Sequence, residues 1–210
     1  MQRAQITVLG FLAISLLGAG CAATGPRSLT WDILPFPRDS DWPAWNGMPA
    51  KLEDGELVLQ GHPVRTRAVY SVPLTIECEF ELENRVAPDG YCGIGFVPAG
   101  SPDDVGPRDL RWLQIAYRGT GAGTGRDGLS FLARDSGSRD KLVWGEEPFV
   151  IQAQKYYAIR LEVTEDHVRV VIDGHPYDLN GVKIPYKQFR VQLNSWQPTD
   201  RWHVRNLVLH

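Results

Sequence analysis

The sequence predicts an all-β protein, a sandwich of two antiparallel sheets, and three observations support this fold class. From residue 50 onward apolar and polar residues alternate with a period of two, as they do in strands with one buried face. Turn-forming residues are abundant, with 21 glycines and 15 prolines in 210 residues. No long window repeats with the 3.6-residue period of an amphipathic helix. Many short strands separated by frequent turns are typical of a β-sandwich.

The first 20 residues have the layout of an export signal. Arg3 precedes an apolar run from Ile6 to Gly20, and Leu17-Gly18-Ala19-Gly20 leads into Cys21. The run is about 15 residues long, shorter than the roughly 20 that a membrane-spanning helix requires. A cysteine after small residues resembles the lipobox of bacterial lipoproteins, in which the cysteine is acylated and begins the mature chain. We therefore expect residues 1–20 to be removed and a lipid on Cys21 to anchor the protein in the bacterial cell envelope. Plain secretion, or release into the periplasm, is the alternative.

The remaining chain is predicted to contain a tether and one domain. Residues 21–45 are interpreted as a tether and N-terminal extension, because prolines interrupt them, as in Leu34-Pro35-Phe36-Pro37. Residues 46–210 are long enough for a single domain with its own core. The net charge of −3 gives no basic surface for nucleic acid, so we expect no nucleic-acid partner.

The first strands of the domain are the clearest. Lys51–Leu59 reads as two strands about an Asp54-Gly55 turn. Thr75–Glu83 is the most regular strand of the chain, because one face is apolar and the other is entirely carboxylate. Along it, Ile76, Cys78, Phe80 and Leu82 alternate with Glu77, Glu79, Glu81 and Glu83.

The alternation continues to the end of the chain. A loop at 84–90 is followed by Tyr91–Val97, which places Cys92, Ile94 and Phe96 on one face. The residues at 164–167 and at 173–174 are predicted turns. Further strands are predicted, in order, at Leu110–Tyr117, Leu129–Arg134, Leu142–Trp144, Tyr156–Val163, Val168–Ile172, Phe189–Trp196 and His203–Leu209.

The cysteines of the domain are predicted to be two buried free thiols. If Thr75–Glu83 and Tyr91–Val97 form a simple hairpin, Cys78 faces Phe96 and the two cysteines lie about four residues apart on one face. At about 3.3 Å per residue, that separation exceeds the Cα spacing of about 4.4–6.8 Å that a disulfide allows. A disulfide between Cys78 and Cys92 is therefore not expected.

Three stretches of the sequence carry a family resemblance. Leu74–Leu82 is followed by Gly90–Phe96, Tyr156–Val163 is followed by Val168–Gly174, and the chain ends on Trp202–Leu209. This order resembles the concanavalin A-like lectin/glucanase superfamily, and within it the bacterial 3-keto-disaccharide hydrolase type domain and laminin-G-like modules. The resemblance implies a jelly roll of two curved sheets whose concave face often holds a sugar.

Glu77, Glu79 and Glu81 are the catalytic candidates if the protein is an enzyme. The run resembles the Glu-x-Asp-x-Glu motif of laminarinase-type enzymes in this superfamily, with Glu79 in place of the aspartate. Retaining glycosidases require two carboxylates about 5–5.5 Å apart, one as nucleophile and one as acid. The interpretation that we favour is a solvated outer face, whose charges discourage aggregation between sheets.

A second group of residues predicts a sugar-binding face. On Phe189–Trp196 and Leu110–Tyr117, amides, an arginine and tryptophans alternate with apolar residues and so share one side of the sheet. An aromatic ring packs against the C–H face of a sugar, while amide and guanidinium groups bond its hydroxyls. The alternative is that the tryptophans close sheet edges and the polar groups are solvated. The expected ligand-binding residues are Arg67, Trp112, Gln114, Arg134, Trp144, Gln192, Asn194 and Trp196.

No cofactor, nucleotide or metal is expected from the sequence. Gly123–Gly128 fits the pattern G-x-G-x-x-G, but the residues that follow, Leu129–Leu132, form a predicted strand where a nucleotide site requires a helix. The histidines and cysteines lack the spacing of metal ligands.

Three functions remain open from the sequence. The first is a surface-tethered carbohydrate-binding or glycan-associated domain without catalysis. The second is a glycoside hydrolase acting on a small or modified sugar, and the third is a cell-envelope domain that binds another protein. The second gains support if Glu77–Glu83 line the same concavity as Trp112 and Trp196, and loses most of it if they lie on the convex side.

Overall fold

The computed structural model of the chain describes residues 27–28, 33–35, 48–101, 109–117, 127–135 and 141–210. The regular elements of these residues are fifteen strands, and the prediction of an all-β fold is confirmed. In chain order they are β1 (Arg27–Ser28), β2 (Ile33–Pro35), β3 (Met48–Glu53), β4 (Glu56–Gln60), β5 (Val64–Thr66), β6 (Leu74–Leu82), β7 (Gly90–Pro98), β8 (Leu110–Tyr117), β9 (Gly128–Arg134), β10 (Lys141–Pro148), β11 (Tyr156–Val163), β12 (Val168–Ile172), β13 (His175–Leu179), β14 (Phe189–Ser195) and β15 (Trp202–Leu209). Within the described ranges, no helix has the length and apolar character needed to span a membrane.

The strands form two antiparallel sheets, which we name sheet A and sheet B. Sheet A has the order β13-β12-β11-β6-β15-β4-β3, with β1 beside β15. Sheet B has the order β10-β9-β8-β7-β14-β5-β2. The sheets stack on each other. Each sheet therefore has an inner face that the other sheet covers and an outer face that points away from it.

The core lies between the two inner faces and follows the alternation of the sequence. Strand β6 alternates strictly between buried and half-buried residues, and its buried positions face sheet B. Phe80 of sheet A and Phe96 of sheet B are each at most 3 % exposed. Burial of one such side chain stabilises the fold by about 1.5–3 kcal/mol.

The hairpin of β3 and β4 confirms the predicted turn. Glu53 pairs with Glu56, and the two residues between them, Asp54 and Gly55, have φ values of 50° and 85°. Positive φ at both positions is the requirement of a type I′ turn, which matches the twist of the two strands. Asp and Gly adopt this conformation at low cost.

The hairpin proposed for β6 and β7 is wrong. These strands lie in different sheets, because residues 83–89 cross from sheet A to sheet B. Cys78 and Cys92 are nevertheless both buried and free, as predicted. They line one small apolar cavity from opposite sheets, so the separation along a hairpin that was expected to keep them apart does not exist. Burial raises the pKa of the Cys78 thiol to about 12.

The segment predicted to be a tether takes part in the sandwich. Strand β1 pairs with the last strand, Arg27 opposite Leu209, and β2 pairs with β5, Ile33 opposite Thr66. Strand β2 adds to the edge of sheet B, whereas β1 pairs with the end of the interior strand β15. The export signal, Cys21 and the glycine-rich residues 118–126 lie outside the described residues.

Candidate functional site

The outer face of sheet B brings four of the predicted binding residues together. The register places Gln192, Gly95 and Trp112 in one row across β14, β7 and β8. The next row contains Asn194, Gly93 and Gln114. We name this surface the polar face and define it by Trp112, Gln114, Gln192 and Asn194.

Two glycines in the centre of the polar face allow these side chains to lie over the sheet. A Cβ atom on Gly93 would lie 2.7 Å from the Leu113 carbonyl oxygen and 2.8 Å from Asn194 Oδ1. A Cβ atom on Gly95 would lie 3.4 Å from Trp112 Cβ. Neither glycine was predicted to be a site residue, although isolated glycines in a strand indicate a close approach by another group.

The polar face is buried, which the sequence did not predict. Gln192 and Gln114 are 1 % exposed, and Trp112 and Asn194 are 2 % exposed. Gln192 Oε1 accepts a hydrogen bond of 3.1 Å from Arg65 Nε. Trp112 Nε1 and Asn194 Oδ1 have no hydrogen-bond partner among the described residues. A buried donor or acceptor without a partner costs about 1–3 kcal/mol. One unsatisfied donor and one unsatisfied acceptor therefore flank Gly93.

Trp196 is the accessible aromatic residue at one end of the polar face. It follows β14 and comes one row after Asn194, and its backbone N–H donates to the Tyr91 carbonyl oxygen at 3.0 Å. The Trp196 ring stacks on Tyr91, with 6.0 Å between ring centres and 15° between ring planes. Tyr91 is buried and Trp196 is partly exposed, so one face of the stack is supported by the protein. Tyr91 is a site residue that the sequence analysis did not identify.

Arg134 and Arg67 lie at the other end of the face. The guanidinium carbon of Arg134 lies 5.5 Å from the centre of the Trp112 ring, within the range of a cation–π interaction. Arg67 is exposed directly after β5, and its carbonyl oxygen accepts a hydrogen bond of 2.7 Å from Arg190 Nη1. The two arginines therefore border the polar face.

Trp144 is separated from the other predicted residues by a β-bulge. A regular alternation would place Trp144 opposite Ser130, on the same side as Trp112. The register of β10 instead pairs Leu142 with Leu132 and Trp144 with Phe131, because the bulge adds one residue. A one-residue shift turns a side chain to the opposite face of the sheet. Trp144 consequently packs against the main core and not on the polar face.

The glutamates of β6 lie on the outer face of sheet A, on the opposite side of the molecule from the polar face. Glu77 Oε1 pairs with Arg160 Nη1 at 3.1 Å. Glu79 Oε2 pairs with Arg205 Nε at 2.6 Å, and Glu79 Oε1 accepts a hydrogen bond of 3.1 Å from Asn206. The hydrogen bond from Arg205 lowers the pKa of Glu79 and keeps it ionised.

A network of charged residues continues along the same face of sheet A. Tyr156 donates a hydrogen bond of 2.7 Å to Glu56 Oε2, and His203 Nδ1 lies 3.1 Å from that oxygen. His203 Nε2 lies 2.8 Å from Glu83 Oε2. Burial raises the pKa of Glu56, but the hydrogen bonds from Tyr156 and His203 together with the nearby positive charges outweigh it, so the net shift is downward. A general acid requires the opposite shift, so neither Glu56 nor Glu79 is prepared for that role.

An open depression of about 410 Å³ lies beside Glu77 and Glu79 on this face. Its floor is apolar and includes Ala158, Val171 and Val208. Among the described residues, no group of three or more His, Cys, Asp or Glu side chains is arranged to hold a metal ion. The depression is the place where a small molecule could reach the β6 carboxylates.

Comparisons with known proteins identify the fold. No protein-family model and no curated protein matches the sequence. The structure is similar to the carbohydrate-binding module CBM66 from Bacillus subtilis, with a TM-score of 0.56 and 13 % identity over 85 % of this chain and 95 % of that chain. It is also similar to a prokaryotic β-1,3-1,4-glucanase (lichenase) from a mouse hindgut metagenome, with a TM-score of 0.58 and 12 % identity over 84 % of this chain and 91 % of that chain.

A third solved structure, the metal-free carbohydrate recognition domain of Emp46p, matches with a TM-score of 0.55 and 13 % identity over 77 % of this chain and 84 % of that chain. At such identities the likeness establishes the fold alone. The two-sheet sandwich is the concanavalin A-like jelly roll, as the order of motifs in the sequence implied.

Proposed function

We propose that this protein is a carbohydrate-binding domain without catalysis of its own, held in the bacterial cell envelope by a lipid on Cys21. One observation carries the binding function. The polar face keeps a donor on Trp112 and an acceptor on Asn194 that have no partner in the described part of the chain, next to the partly exposed ring of Trp196. A sugar hydroxyl can accept from the donor and donate to the acceptor, and the sugar ring can stack on the indole.

The burial of the polar face sets the order in which a sugar makes its contacts. Because Trp112 and Asn194 are 2 % exposed, a sugar first meets Trp196. It reaches the polar atoms of Trp112 and Asn194 only after a local rearrangement of the face. The free energy of two unsatisfied polar atoms, about 1–3 kcal/mol each, is then recovered in the complex and favours binding.

The absence of catalysis is supported by the position and ionisation of the glutamates. Glu77, Glu79 and Glu81 lie on sheet A, whereas the polar face lies on sheet B. Glu79 is held ionised by Arg205. The similarity of the fold to a carbohydrate-binding module and to a carbohydrate recognition domain agrees with binding as the activity.

Binding to a glycan array, followed by calorimetric titration with the best ligand, tests the proposal. We expect Trp196→Ala to weaken the affinity about tenfold, because aromatic stacking contributes about 0.5–1.5 kcal/mol beyond area burial and 1.4 kcal/mol is a factor of ten. Tyr156→Ala is the matched control, since it removes an aromatic ring from the outer face of sheet A. Equal affinities of the wild-type protein and Trp196→Ala would remove the polar face from consideration.

A glycoside hydrolase acting on a small or modified sugar is the second candidate. The depression beside Glu77 and Glu79 favours it, because it gives a small ligand access to carboxylates. The family resemblance to 3-keto-disaccharide hydrolase type domains points the same way, as does the similarity of the fold to a lichenase. Loss of sugar hydrolysis in Glu79→Gln, with folding retained, would establish this candidate in place of the first.

A further inference from the structure

The connection between β14 and β15, residues 196–201, carries both Trp196 and a fully buried carboxylate, Asp200. Asp200 Oδ2 accepts a hydrogen bond from the Tyr117 hydroxyl. Asp200 Oδ1 lies 3.3 Å and 3.2 Å from the backbone nitrogens of Val86 and Ala87, which donate to it. Because its exposed fraction is 0 %, Asp200 cannot contact a ligand directly.

These bonds fasten the connection to two other parts of the sandwich. Tyr117 ends β8, and Val86 and Ala87 belong to the crossing segment between β6 and β7. The packing leaves no spare room, since a Cβ atom on Gly90 would lie 2.5 Å from Asp200 Oδ2 and 2.6 Å from the Tyr117 hydroxyl oxygen. Asp200 is therefore the point at which three segments of the chain are joined.

The same connection continues from Asp200 to Trp196 through a short chain of contacts. The backbone N–H of Asp200 donates to the Gln197 carbonyl oxygen at 3.3 Å. Gln197 Nε2 donates to Asp89 Oδ1 at 3.0 Å. Trp196 N–H then donates to the Tyr91 carbonyl oxygen. Trp196 and Gln197 are thereby held against the start of β7, and Asp200 is bonded to Gln197.

We infer that Asp200 is a positioning residue for the Trp196 ring, an inference that rests on the proposed function. By joining the connection to Tyr117 and to the crossing segment, Asp200 holds the indole parallel to Tyr91. A sugar stacks productively only on a ring whose plane is fixed before it arrives, because ordering a mobile ring reduces the affinity. Loss of the Asp200 carboxylate is expected to release the ring while every side chain that is proposed to touch the sugar is still present.

The test follows the Trp196 ring itself in the full chain labelled with 5-fluorotryptophan. The ¹⁹F resonance of Trp196 is assigned as the one that disappears in Trp196→Phe. We expect Asp200→Ala to shift or broaden this resonance and to weaken sugar binding about tenfold. Asp200→Asn keeps an oxygen that can accept from the two backbone donors. This variant is therefore expected to retain most of the wild-type Trp196 resonance and most of the sugar affinity.

A matched control separates positioning from general destabilisation. Ile172→Val removes one methyl group from the core of sheet A, remote from the connection, and lowers the melting temperature without contact with the site. The Trp196 resonance and the affinity are expected to stay unchanged in this variant. A wild-type resonance in Asp200→Ala, or the same shift in Ile172→Val, would overturn the inference.

Two further arms make the result decisive. If Asp200→Ala does not fold, Tyr117→Phe removes only one of the three donors and is expected to move the Trp196 resonance in the same direction by a smaller amount. An unmoved resonance in folded Tyr117→Phe then counts against the inference. If the wild-type protein binds no glycan, the proposed function fails, whereas the fluorine spectra still decide whether Asp200 sets the ring.

Discussion

The guanidinium carbon of Arg205 lies 3.6 Å from the centre of the Tyr156 ring. While stacked in this way, Arg205 Nε donates a hydrogen bond to Glu79, and the Tyr156 hydroxyl donates one to Glu56. The carboxylate of Glu79 is thus part of a structural network that spans β6, β11 and β15. A carboxylate committed to such a pair supports sheet A and is a poor acid or nucleophile.

The first prediction concerns Glu79→Gln. We expect unchanged glycan binding and a lower melting temperature at pH 7, because the ion pair with Arg205 is lost. Folding lowers the pKa of Glu79 below its ordinary value of 4.5. The ionised Glu79 side chain therefore stabilises the folded state fully above pH 4.5, and this stabilisation is lost as the pH falls through the folded-state pKa. The difference in melting temperature between the variant and the wild-type protein should therefore narrow below pH 4.5. A difference that grows in acid would contradict this assignment.

Gly93→Ala tests the close packing of the polar face. The new Cβ atom would lie 2.7 Å from a backbone carbonyl oxygen, which cannot rotate away as a flexible side chain can. We expect a loss of about 1–3 kcal/mol in the free energy of unfolding, the usual range for overpacking, measured by urea denaturation. Gly100→Ala is the matched control, because nothing lies within 4 Å of its Cβ position. Equal stability of the two variants would show that the face has more room.

The two tryptophans at 144 and 196 should respond in opposite ways. Trp144 packs against the core, so Trp144→Ala is expected to lower the free energy of unfolding by about 1–3 kcal/mol while the sugar affinity of the folded protein stays the same. Trp196→Ala is expected to lower the affinity with a smaller effect on stability. Thermal denaturation and calorimetric titration of both variants give the comparison. A loss of affinity in Trp144→Ala would place that residue back in the site.

Cys78 and Cys92 are expected to be unreactive in the folded protein. Both thiols are buried, and burial raises their pKa values, so the thiolate that reacts with disulfide reagents is scarce. A chromogenic disulfide reagent should label neither thiol in buffer and both in urea. A bridged 78–92 peptide in a non-reducing digest would be incompatible with the two free thiols.

The sequence predicted which side of a strand each residue occupies more reliably than which sheet the strand joins. The alternation in β6 and in β14 correctly separated inner from outer residues. The alternation could not show that residues 83–89 cross between the sheets. The two flanking strands have the same pattern whether a hairpin turn or a crossing segment joins them. Pairing between distant segments, such as β6 with β11 and β15, is not a local property of the chain.

Only part of the candidate site was predicted, because alternation places side chains correctly in regular strands but not at irregularities or in turns. Trp112, Gln114, Gln192 and Asn194 were grouped correctly because their strands are regular. Trp144 was misplaced because one extra residue in β10 inverts its side, a change that a regular alternation does not predict. Asp200 was missed because an aspartate in a turn is usually solvated. Its burial depends on Tyr117 and Ala87, which are distant in the sequence.

The pairing of β1 with β15 also determines where the chain can be opened and closed. Arg27 lies opposite Leu209, so the first described residues and the last strand share one end of sheet A. A few added residues are enough to join these two ends, and new termini at the exposed turn near Gly100 would leave every strand intact. Residues 27–210 are thus suited to circular permutation, and any module fused after His210 would emerge beside Arg27.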